Sequence, residues 1–183
     1  ETLSYTVTQP EALSITFTNI QNVKCYNEST GSFSLNISGG NGGYQYEFNN
    51  NQNFVNYNSI TNFTGYKAGT YQFNVEDSKG CTDTNSVTIT QPEEYKGSLL
   101  ANDYNGYSIK CNGLTDSIQA TVEGGVRPDS IVLQNNYIIS NNNPAIFAAL
   151  PAGNYHVKFY DNNGCVFNNS IILTQPNQLY YNS

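Results

Sequence analysis

Four cysteines are the residues of this chain with the clearest chemical potential. They form two pairs, Cys25 with Cys81 and Cys111 with Cys165, at separations of 56 and 54 residues. The near-equal spacing predicts one disulfide in each half of the chain. Closing a loop of that size stabilises a small domain by about 4 kcal/mol in the chain-entropy model. Free thiols are an alternative, and a zinc site is a weaker one because the cysteines are far apart and the chain has one histidine.

The predicted pairing depends on how many strands separate the two cysteines of each half. The first cysteine follows the first predicted strand and the second precedes the last, so an even number of strands between them places both at one end. Six strands in each half meet this condition. A seventh short strand near residues 50–60 would put the sulfurs at opposite ends, beyond the Cα separation of about 7 Å that a disulfide allows.

No other residues form a catalytic constellation. His156 lies in a predicted strand whose alternation sends Tyr155, Val157 and Phe159 to one face and His156 to solvent. The turns Asp77–Gly80 and Asp161–Gly164 offer oxygen ligands for calcium, but a hairpin turn explains the same residues without metal. We therefore expect no enzyme activity, no catalytic or cofactor-binding residue, and no metal.

The composition narrows the class of partner. Charged residues make up 11% of the chain, the net charge is −7 and the pI is about 4.4. Nucleic acid and anionic membranes attract clustered Lys and Arg, which seven scattered basic residues do not supply. The sequence also lacks an apolar stretch of the length a membrane helix needs. We expect neither nucleic-acid binding nor membrane insertion.

The elements that position these residues are repeated along the chain. Thr-Gln-Pro recurs at 8–10, 90–92 and 174–176, in steps of 82 and 84 residues. Further markers keep the same order and offset: Gly39-Gly40 with Gly124-Gly125, Ala68–Tyr71 with Ala152–Tyr155, and Gly80-Cys81 with Gly164-Cys165. We assign 1–10 to the last strand of a preceding repeat, 11–92 to repeat 1, 93–176 to repeat 2, and 177–183 to the start of a following repeat.

Each repeat is predicted to be an all-β, immunoglobulin-like sandwich of six to seven strands. Short runs rich in Tyr, Phe, Ile, Val and Thr alternate with Gly, Asn and Asp turns, and no window has a helical period. Tyr71 and Tyr155 each open the strand before the second cysteine, where a tyrosine hydroxyl pins a sandwich corner in many such domains; an ordinary half-buried strand tyrosine is the alternative. The strands predicted in repeat 1 are 13–20, 32–38, 44–48, 54–61, 70–76 and 84–90.

The order of these motifs resembles the SprB repeat of large cell-surface gliding adhesins of Bacteroidetes bacteria. Cysteine is followed by Gly-Ser, a strand ending in Gly-Gly, an aromatic strand, Ala-Gly-Thr-Tyr, Asp-x-x-Gly-Cys, and a strand ending in Thr-Gln-Pro. The match runs through both repeats. Two departures are Phe48 and Leu133, which stand where the family usually has tryptophan, and Arg127–Val132, which replaces the aromatic strand in repeat 2.

The resemblance implies a structural and adhesive module of a long surface filament. It also implies export by the type IX secretion system, display on the outer surface of a Gram-negative cell, and contact with the secretion and motility machinery at the outer membrane. Partners would then be neighbouring repeats and a substratum or surface glycan. O-glycosylation is predicted at Ser117 and Ser130, which lie in Asp-Ser-Ile triplets.

Two alternatives belong to other functional classes. Exposed tyrosines, predicted as Tyr44, Tyr46, Tyr66, Tyr180 and Tyr181, would suit accessory glycan-binding repeats of a large secreted polysaccharide-degrading enzyme. A preference of tyrosine for strands explains the same residues without a ligand. Residues 1–8, an isolated strand by their pattern, would suit a self-assembling fibre built by strand addition to a neighbouring chain.

Overall fold

The structure is a computed structural model that describes residues 2–133 and 138–180, with the backbone alone at 138–140. The described residues are all-β and include no helix, so none provides an apolar helix that would cross a membrane. The chain divides into two compact units, Glu1–Gln91 and Pro92–Ser183. We call them repeat 1 and repeat 2; the boundary predicted from the sequence is one residue later.

Repeat 1 is a sandwich of two antiparallel sheets. A three-stranded sheet has the order β1-β2-β5, and a four-stranded sheet has the order β4-β3-β6-β7. The strands are β1 (Ser14–Gln21), β2 (Gly31–Ser38), β3 (Gln45–Phe48), β4 (Val55–Asn56), β5 (Thr61–Tyr66), β6 (Gly69–Glu76) and β7 (Thr82–Ile89).

Repeat 2 has the same architecture. Its sheets have the orders β12-β9-β8 and β11-β10-β13-β14, so each strand has a counterpart seven places earlier. The strands are β8 (Lys96–Ala101), β9 (Asp116–Glu123), β10 (Ser130–Leu133), β11 (Ile138–Ser140), β12 (Ala145–Leu150), β13 (Gly153–Tyr160) and β14 (Val166–Leu173). The all-β sandwich expected from the sequence is confirmed in both repeats.

Period-two alternation explains how the sheets bury their inner faces. In β2, Phe33, Leu35 and Ile37 are buried, and β6 places Phe73 and Val75 opposite them. Removing such side chains from water contributes about 1.5–3 kcal/mol each. Aromatic rings dominate this core, with centroid separations of 5.0 Å for Phe33–Phe63 and 4.9 Å for Tyr66–Tyr71.

The core of repeat 2 is mainly aliphatic, although its strands occupy equivalent positions. Ile118, Ala120 and Val122 stand where repeat 1 has Phe33, Leu35 and Ile37. Other buried apolar residues of repeat 2 include Ile131, Leu133, Phe147, Leu150, Val157, Phe159 and Leu173. The same fold is therefore filled by two different sets of side chains, as hydrophobic cores of similar volume allow.

The structure corrects one strand of the sequence prediction. The predicted strand 54–61 is replaced by the two-residue β4 and by β5, which starts where the predicted strand ends. Each repeat consequently has seven strands among the described residues. Seven strands in a repeat are expected to place its two cysteines at opposite ends of the sandwich.

The segment before repeat 1 also differs from the expectation. Residues 2–10, predicted to be the last strand of a preceding repeat, form no strand in the structure. Their alternating apolar side chains Leu3, Tyr5 and Val7 are all exposed. A strand with such a pattern needs a sheet to pair with, and none in repeat 1 accepts it.

Candidate functional site: the two poles of each repeat

The repeated sequence motifs gather at the two opposite ends of each sandwich. We call the end where the chain enters the entry pole; in repeat 1 it contains Glu11, Gly39–Asn41 and the turn Asp77–Cys81. The end where the chain leaves is the exit pole, formed by Asn22–Asn27 and Thr90-Gln91. Strand β7 runs from the entry pole to the exit pole, because Cys81 precedes it and Thr90 follows it.

The Gly-Gly motif receives the incoming chain at the entry pole. Gly39 and Gly40 have φ angles of 76° and 59°, and the Gly40 N–H donates to the Glu11 carbonyl at 2.8 Å. A Cβ atom on Gly39 would lie 2.0 Å from the Ala12 carbonyl oxygen. Only glycine combines positive φ with so close a backbone approach, so this motif fixes where the chain enters.

The carboxylate of Asp77 organises the rest of the entry pole in repeat 1. Oδ2 accepts hydrogen bonds from the backbone and side-chain amides of Asn41, both at 2.8 Å. Oδ1 accepts from the N–H groups of Lys79 at 2.8 Å and Cys81 at 3.0 Å. Desolvation raises the pKa of Asp77, but these hydrogen bonds outweigh it and hold the pKa well below its usual range.

In repeat 2 the carboxylate of Asp161 likewise accepts hydrogen bonds from backbone N–H groups of the entry pole. It accepts from the N–H groups of Val126, Asn163 and Cys165 at 3.0, 2.9 and 2.8 Å. The Gly125 N–H donates to the Glu93 carbonyl at 3.2 Å, which corresponds to the Gly40–Glu11 bond in repeat 1. The Asp-x-x-Gly-Cys motif is thus a turn held by its own carboxylate.

Calcium loops are the alternative interpretation of the turns at Asp77 and Asp161. In both, the carboxylate oxygens are directed at N–H donors of the protein. Among the described residues, no group of three or more His, Cys, Asp and Glu side chains is arranged to hold a metal ion. The hairpin-turn interpretation accounts for the contacts of Asp77 and Asp161.

The glutamine of Thr-Gln-Pro shapes the exit pole. In repeat 1 the Gln91 side-chain oxygen accepts the Asn27 N–H at 2.8 Å, and in repeat 2 Gln175 accepts the Gly113 N–H at 2.9 Å. Each acceptor holds the loop two residues after a cysteine, Cys25 or Cys111. The motif therefore ties the first cysteine of each repeat to the point where the chain leaves.

A second pair of bonds fastens the same loop to the final strand. The Val23 N–H donates to the Thr90 carbonyl at 2.9 Å, and the Ile109 N–H donates to the Thr174 carbonyl at the same distance. Both exit poles are therefore built by the same backbone and glutamine contacts, and the first cysteine of each repeat lies within them.

The predicted disulfide within each repeat is wrong. Cys25 lies at the exit pole and Cys81 at the entry pole, so the eight residues of β7 separate them. At about 3.3 Å per residue that distance is roughly 26 Å, far beyond the Cα limit for a bridge. Cys111 and Cys165 are separated in the same way by β14. The seventh strand is the physical reason, as the strand-parity condition implies.

The sulfurs also differ in chemical state. Cys81 and Cys111 are free, exposed thiols, whereas Cys25 and Cys165 are disulfide-bonded. Desolvation and the adjacent Asp77 carboxylate raise the pKa of the Cys81 thiol. A higher pKa lowers the thiolate fraction at neutral pH, which slows attack of this sulfur on a disulfide.

Of the two interpretations of Tyr71 and Tyr155, the hydrogen bonds favour the tyrosine corner over an ordinary strand tyrosine. The Tyr71 hydroxyl donates to the Lys67 carbonyl at 2.8 Å, and the Tyr155 hydroxyl donates to the Pro151 carbonyl at 2.7 Å. His156 is exposed on β13 while its neighbours Tyr155 and Val157 are buried, as the alternation predicts.

The tyrosine surface proposed from the sequence is wrong for most of its members. Tyr44, Tyr46 and Tyr66 are partly buried and pack against the core of repeat 1. Tyr180 is 82% exposed, and Tyr181 lies outside the described residues. The sequence missed this because the same alternation that marks a strand does not say which of its faces is covered.

Both residues of the predicted O-glycosylation sites lie on strands. Ser117 is partly exposed on β9, and its N–H donates to the Asp116 carboxylate at 2.7 Å. Ser130 is partly exposed on β10, and its hydroxyl donates to the Asn141 side chain at 3.2 Å. Glycosylation at these two positions stays a prediction.

Comparison with known protein families identifies part of repeat 1. Residues 17–53 match the family model of the SprB repeat, which confirms the resemblance drawn from the motif order. The matched segment carries Cys25 of the exit pole and Gly39-Gly40 of the entry pole. The match and the repeated sandwiches support a structural repeat module of a cell-surface protein. A search of curated protein sequences finds no significant relative.

Solved structures with a similar arrangement of strands have low sequence identity and low structural scores. Fibronectin(III)-like modules of Clostridium thermocellum CbhA are 12% identical, with 92% of this chain and 100% of that chain covered and a TM-score of 0.36. The S-layer protein SbsC, domains 4 and 5, is 15% identical, with 92% and 99% covered and a TM-score of 0.30. An amphioxus IgVJ-C2 molecule is 11% identical, with 92% and 99% covered and a TM-score of 0.31.

Proposed function

We propose that this chain is a pair of structural repeats from a long cell-surface adhesin of the gliding type, which extends a filament and mediates attachment to a surface. The observation that carries the proposal is the pair of poles. In each repeat the chain enters at one end of the sandwich and leaves at the other, with the same contacts at Gly40 and Gly125 and at Gln91 and Gln175.

Opposite poles suit a repeat whose role is to add length. The last exit-pole residue of repeat 1, Gln91, and the first entry-pole residue of repeat 2, Glu93, are two positions apart. Pro92 stands between them and restricts φ at the junction. Repeats joined in this way would transmit tension along a filament through short, stiff connections.

The finer parts of the proposal follow from the SprB resemblance. The adhesin would be exported by the type IX secretion system and displayed on the outer surface of a Bacteroidetes-type cell. Its partners would be neighbouring repeats, a substratum or surface glycan, and the secretion and motility machinery. The repeats themselves would carry out no catalysis.

The packing of the tyrosines favours a structural role over glycan binding by the faces of repeat 1. Tyr44, Tyr46 and Tyr66 would have formed the stacking surface for a sugar, but each is partly buried and packs against the core. Attachment would accordingly depend on the filament as a whole and not on a glycan site in this repeat.

Antibody labelling of intact cells of the source bacterium tests this function. We expect antibodies against residues 11–176 to label intact cells, and we expect removal of repeats from the gene to weaken attachment to glass in proportion to the number removed. A matched control is deletion of the same length from an unrelated secreted protein of that cell. Labelling only after lysis, or attachment unchanged by loss of most repeats, would overturn the proposal.

A further inference from the structure

The four-stranded sheets of the two repeats differ in the sign of their charge. In repeat 1, strands β3, β4, β6 and β7 contain three acidic residues and no basic one: Glu47, Glu76 and Asp83. In repeat 2, the corresponding strands β10, β11, β13 and β14 contain His156 and Lys158 and no acidic residue. The sheet of repeat 2 is therefore a local exception in a chain of net charge −7.

The change of charge occurs at equivalent positions of one outward face. The strand registers place Glu47 beside Asn74 in repeat 1, and they place Val132 beside Lys158 in repeat 2. The first exchange removes a negative charge and the second adds a positive one. His156 lies two residues before Lys158 on β13, so alternation sends both side chains to the same face.

The outer faces of β13 and β14 form an open concavity of about 510 Å³ around these two side chains. The volume lies within the ~300–1,000 Å³ that is typical of small-ligand sites. The register pairs His156 with Ser170 and Lys158 with Asn168, so hydrogen-bonding side chains stand on both strands. The lining residues are His156, Val157, Lys158, Asn168, Asn169 and Ser170.

The polar side chains of this concavity are available to a ligand. His156, Lys158 and Asn168 form no side-chain hydrogen bond or ion pair among the residues that the structure describes. In repeat 1, Asn74, the counterpart of Lys158, donates to the Glu47 carboxylate at 3.2 Å. The position that links two strands in repeat 1 is therefore an unpaired cation in repeat 2.

We propose that the outer face of β13 and β14 binds a polysaccharide that carries carboxylate groups, with Lys158 contacting a carboxylate and His156, Asn168 and Ser170 contacting neighbouring hydroxyl groups. The inference rests on the proposed attachment function and names the chemical class of the surface that repeat 2 would contact. Charges further apart than about 8 Å are largely screened at physiological ionic strength. The ligand therefore responds to the cations of this face more than to the net charge of the chain.

The chemistry of the lining favours an acidic sugar over other anionic partners. Amide and hydroxyl groups beside the lysine match the ring hydroxyls of a sugar, whereas protein interfaces depend on Trp, Tyr and Arg anchors that the lining lacks. One lysine beside one histidine suits a chain with one charge per sugar, since more densely charged polyanions attract clusters of basic residues. Many copies of such a repeat in a filament would turn a weak contact into firm attachment.

An NMR titration of the isotope-labelled chain tests the inference. The probe is a short oligogalacturonate, and its methyl ester is the matched neutral ligand. We expect the acid to shift the amide signals of residues 156–158 and 168–170 and the ester to shift them far less, because only the acid is charged. Shifts confined to other residues, or equal shifts with the ester, would overturn the inference.

Two substitutions that copy repeat 1 separate binding from folding. Lys158→Asn and His156→Gln introduce the residues that repeat 1 has at these positions, Asn74 and Gln72, so both variants should keep the fold. We expect Lys158→Asn to raise the dissociation constant for oligogalacturonate about fivefold, the effect of losing one exposed ion pair. We expect the double variant to raise it further.

The matched control is Lys96→Gln on β8. It changes the net charge by the same amount, but Glu94 already pairs with Lys96 at 2.6 Å, so the affinity should stay at the wild-type value. Equal losses in this control and in Lys158→Asn, tighter binding of a sulfated oligosaccharide, or a dimer of the free chain that Lys158→Asn dissociates would each overturn the inference. The assay uses purified protein and a soluble sugar, so its failure can be told apart from a failure of cells to attach.

Discussion

At the scale of single residues, the side chains at the motif positions accept hydrogen bonds from backbone N–H groups. Asp77 accepts four hydrogen bonds from three residues and is 4% exposed, while Gln91 accepts the N–H of the exit-pole loop. Buried N–H groups need such acceptors because an unpaired polar group costs free energy away from water. Residues whose types suggested chemistry therefore determine the shape of the poles.

The lowered pKa of Asp77 predicts that the folding stability of repeat 1 falls at acid pH. Its pKa is lowered in the folded state, so its contribution is present above the unfolded pKa of about 3.9 and is lost as the pH falls below it. We expect Asp77→Asn to lower the urea midpoint of repeat 1 at pH 7. We also expect the variant to lose less stability than the wild type between pH 7 and pH 3. Hydrogen-exchange mass spectrometry in urea would report each repeat separately.

The exposed carboxylate of Glu28 gives a matched control for this experiment. Glu28→Gln should leave both the midpoint and its pH dependence close to wild type. An Asp77→Asn variant with an unchanged midpoint at pH 7 would show that the carboxylate does not organise the entry pole.

The sequence predicts the role of a residue when its motif is known to have a single structural role in folds of this class. For Tyr71 and Tyr155 the sequence raised the corner role as one of two alternatives, because their place before the second cysteine matches a known corner, and the hydrogen bonds favour it. The role of Gln91 was missed, although Thr-Gln-Pro was recognised as a repeat marker. Its recurrence one residue before proline was the available signal, but the sequence does not show which distant N–H a glutamine side chain reaches.

At the scale of elements, the two repeats fill equivalent strands with compensating side chains. Ile15 on β1 corresponds to Gly97 on β8, and Val75 on β6 corresponds to Phe159 on β13. A Cβ atom on Gly97 would lie 2.6 Å from the Phe159 ring. The absence of a side chain on β8 therefore makes room for the larger residue on β13.

This compensation predicts coupled mutations in repeat 2. We expect Gly97→Ile to destabilise it by about 1–3 kcal/mol through overpacking, and Phe159→Val to destabilise it by about 2–4 kcal/mol through a cavity. The double variant reproduces the pair found in repeat 1 and should lose less than the sum of the two. Urea denaturation read by hydrogen exchange of repeat 2 peptides measures all three.

Independent effects of Gly97→Ile and Phe159→Val on the free energy of unfolding would contradict this account of the two cores. Mutations that do not interact add within about 0.5 kcal/mol, so a double variant whose loss equals the sum would show that the two positions do not share one space.

The strands were predictable where alternation is strong, and the exception changed the interpretation of the cysteines. In β2 and β6, apolar residues alternate over eight positions and the predicted strands overlap the observed ones closely. The run 54–61 misled because β4 has two exposed residues and follows a stretch in which Asn49, Asn50 and Gln52 have positive φ. Merging β4 with β5 gave an even strand count and placed the cysteines at one end.

At the scale of the whole molecule, the repeat period came from the sequence and the direction of the chain through each repeat came from the structure. Six strands would return the chain close to its entry, whereas seven carry it to the opposite end. That difference places the entry and the exit of the chain at opposite ends of each repeat. The proposed filament depends on this placement.

Small-angle X-ray scattering of tandem copies of residues 11–176 tests the proposed filament most directly. Each repeat has a strand of eight residues between its poles, which with its loops gives roughly 30–40 Å of length. We expect proteins with two, four and six repeats to show a maximum dimension that rises linearly by about that amount per repeat. A maximum dimension that rises far more slowly, as for repeats packed side by side into a globule, would contradict the account.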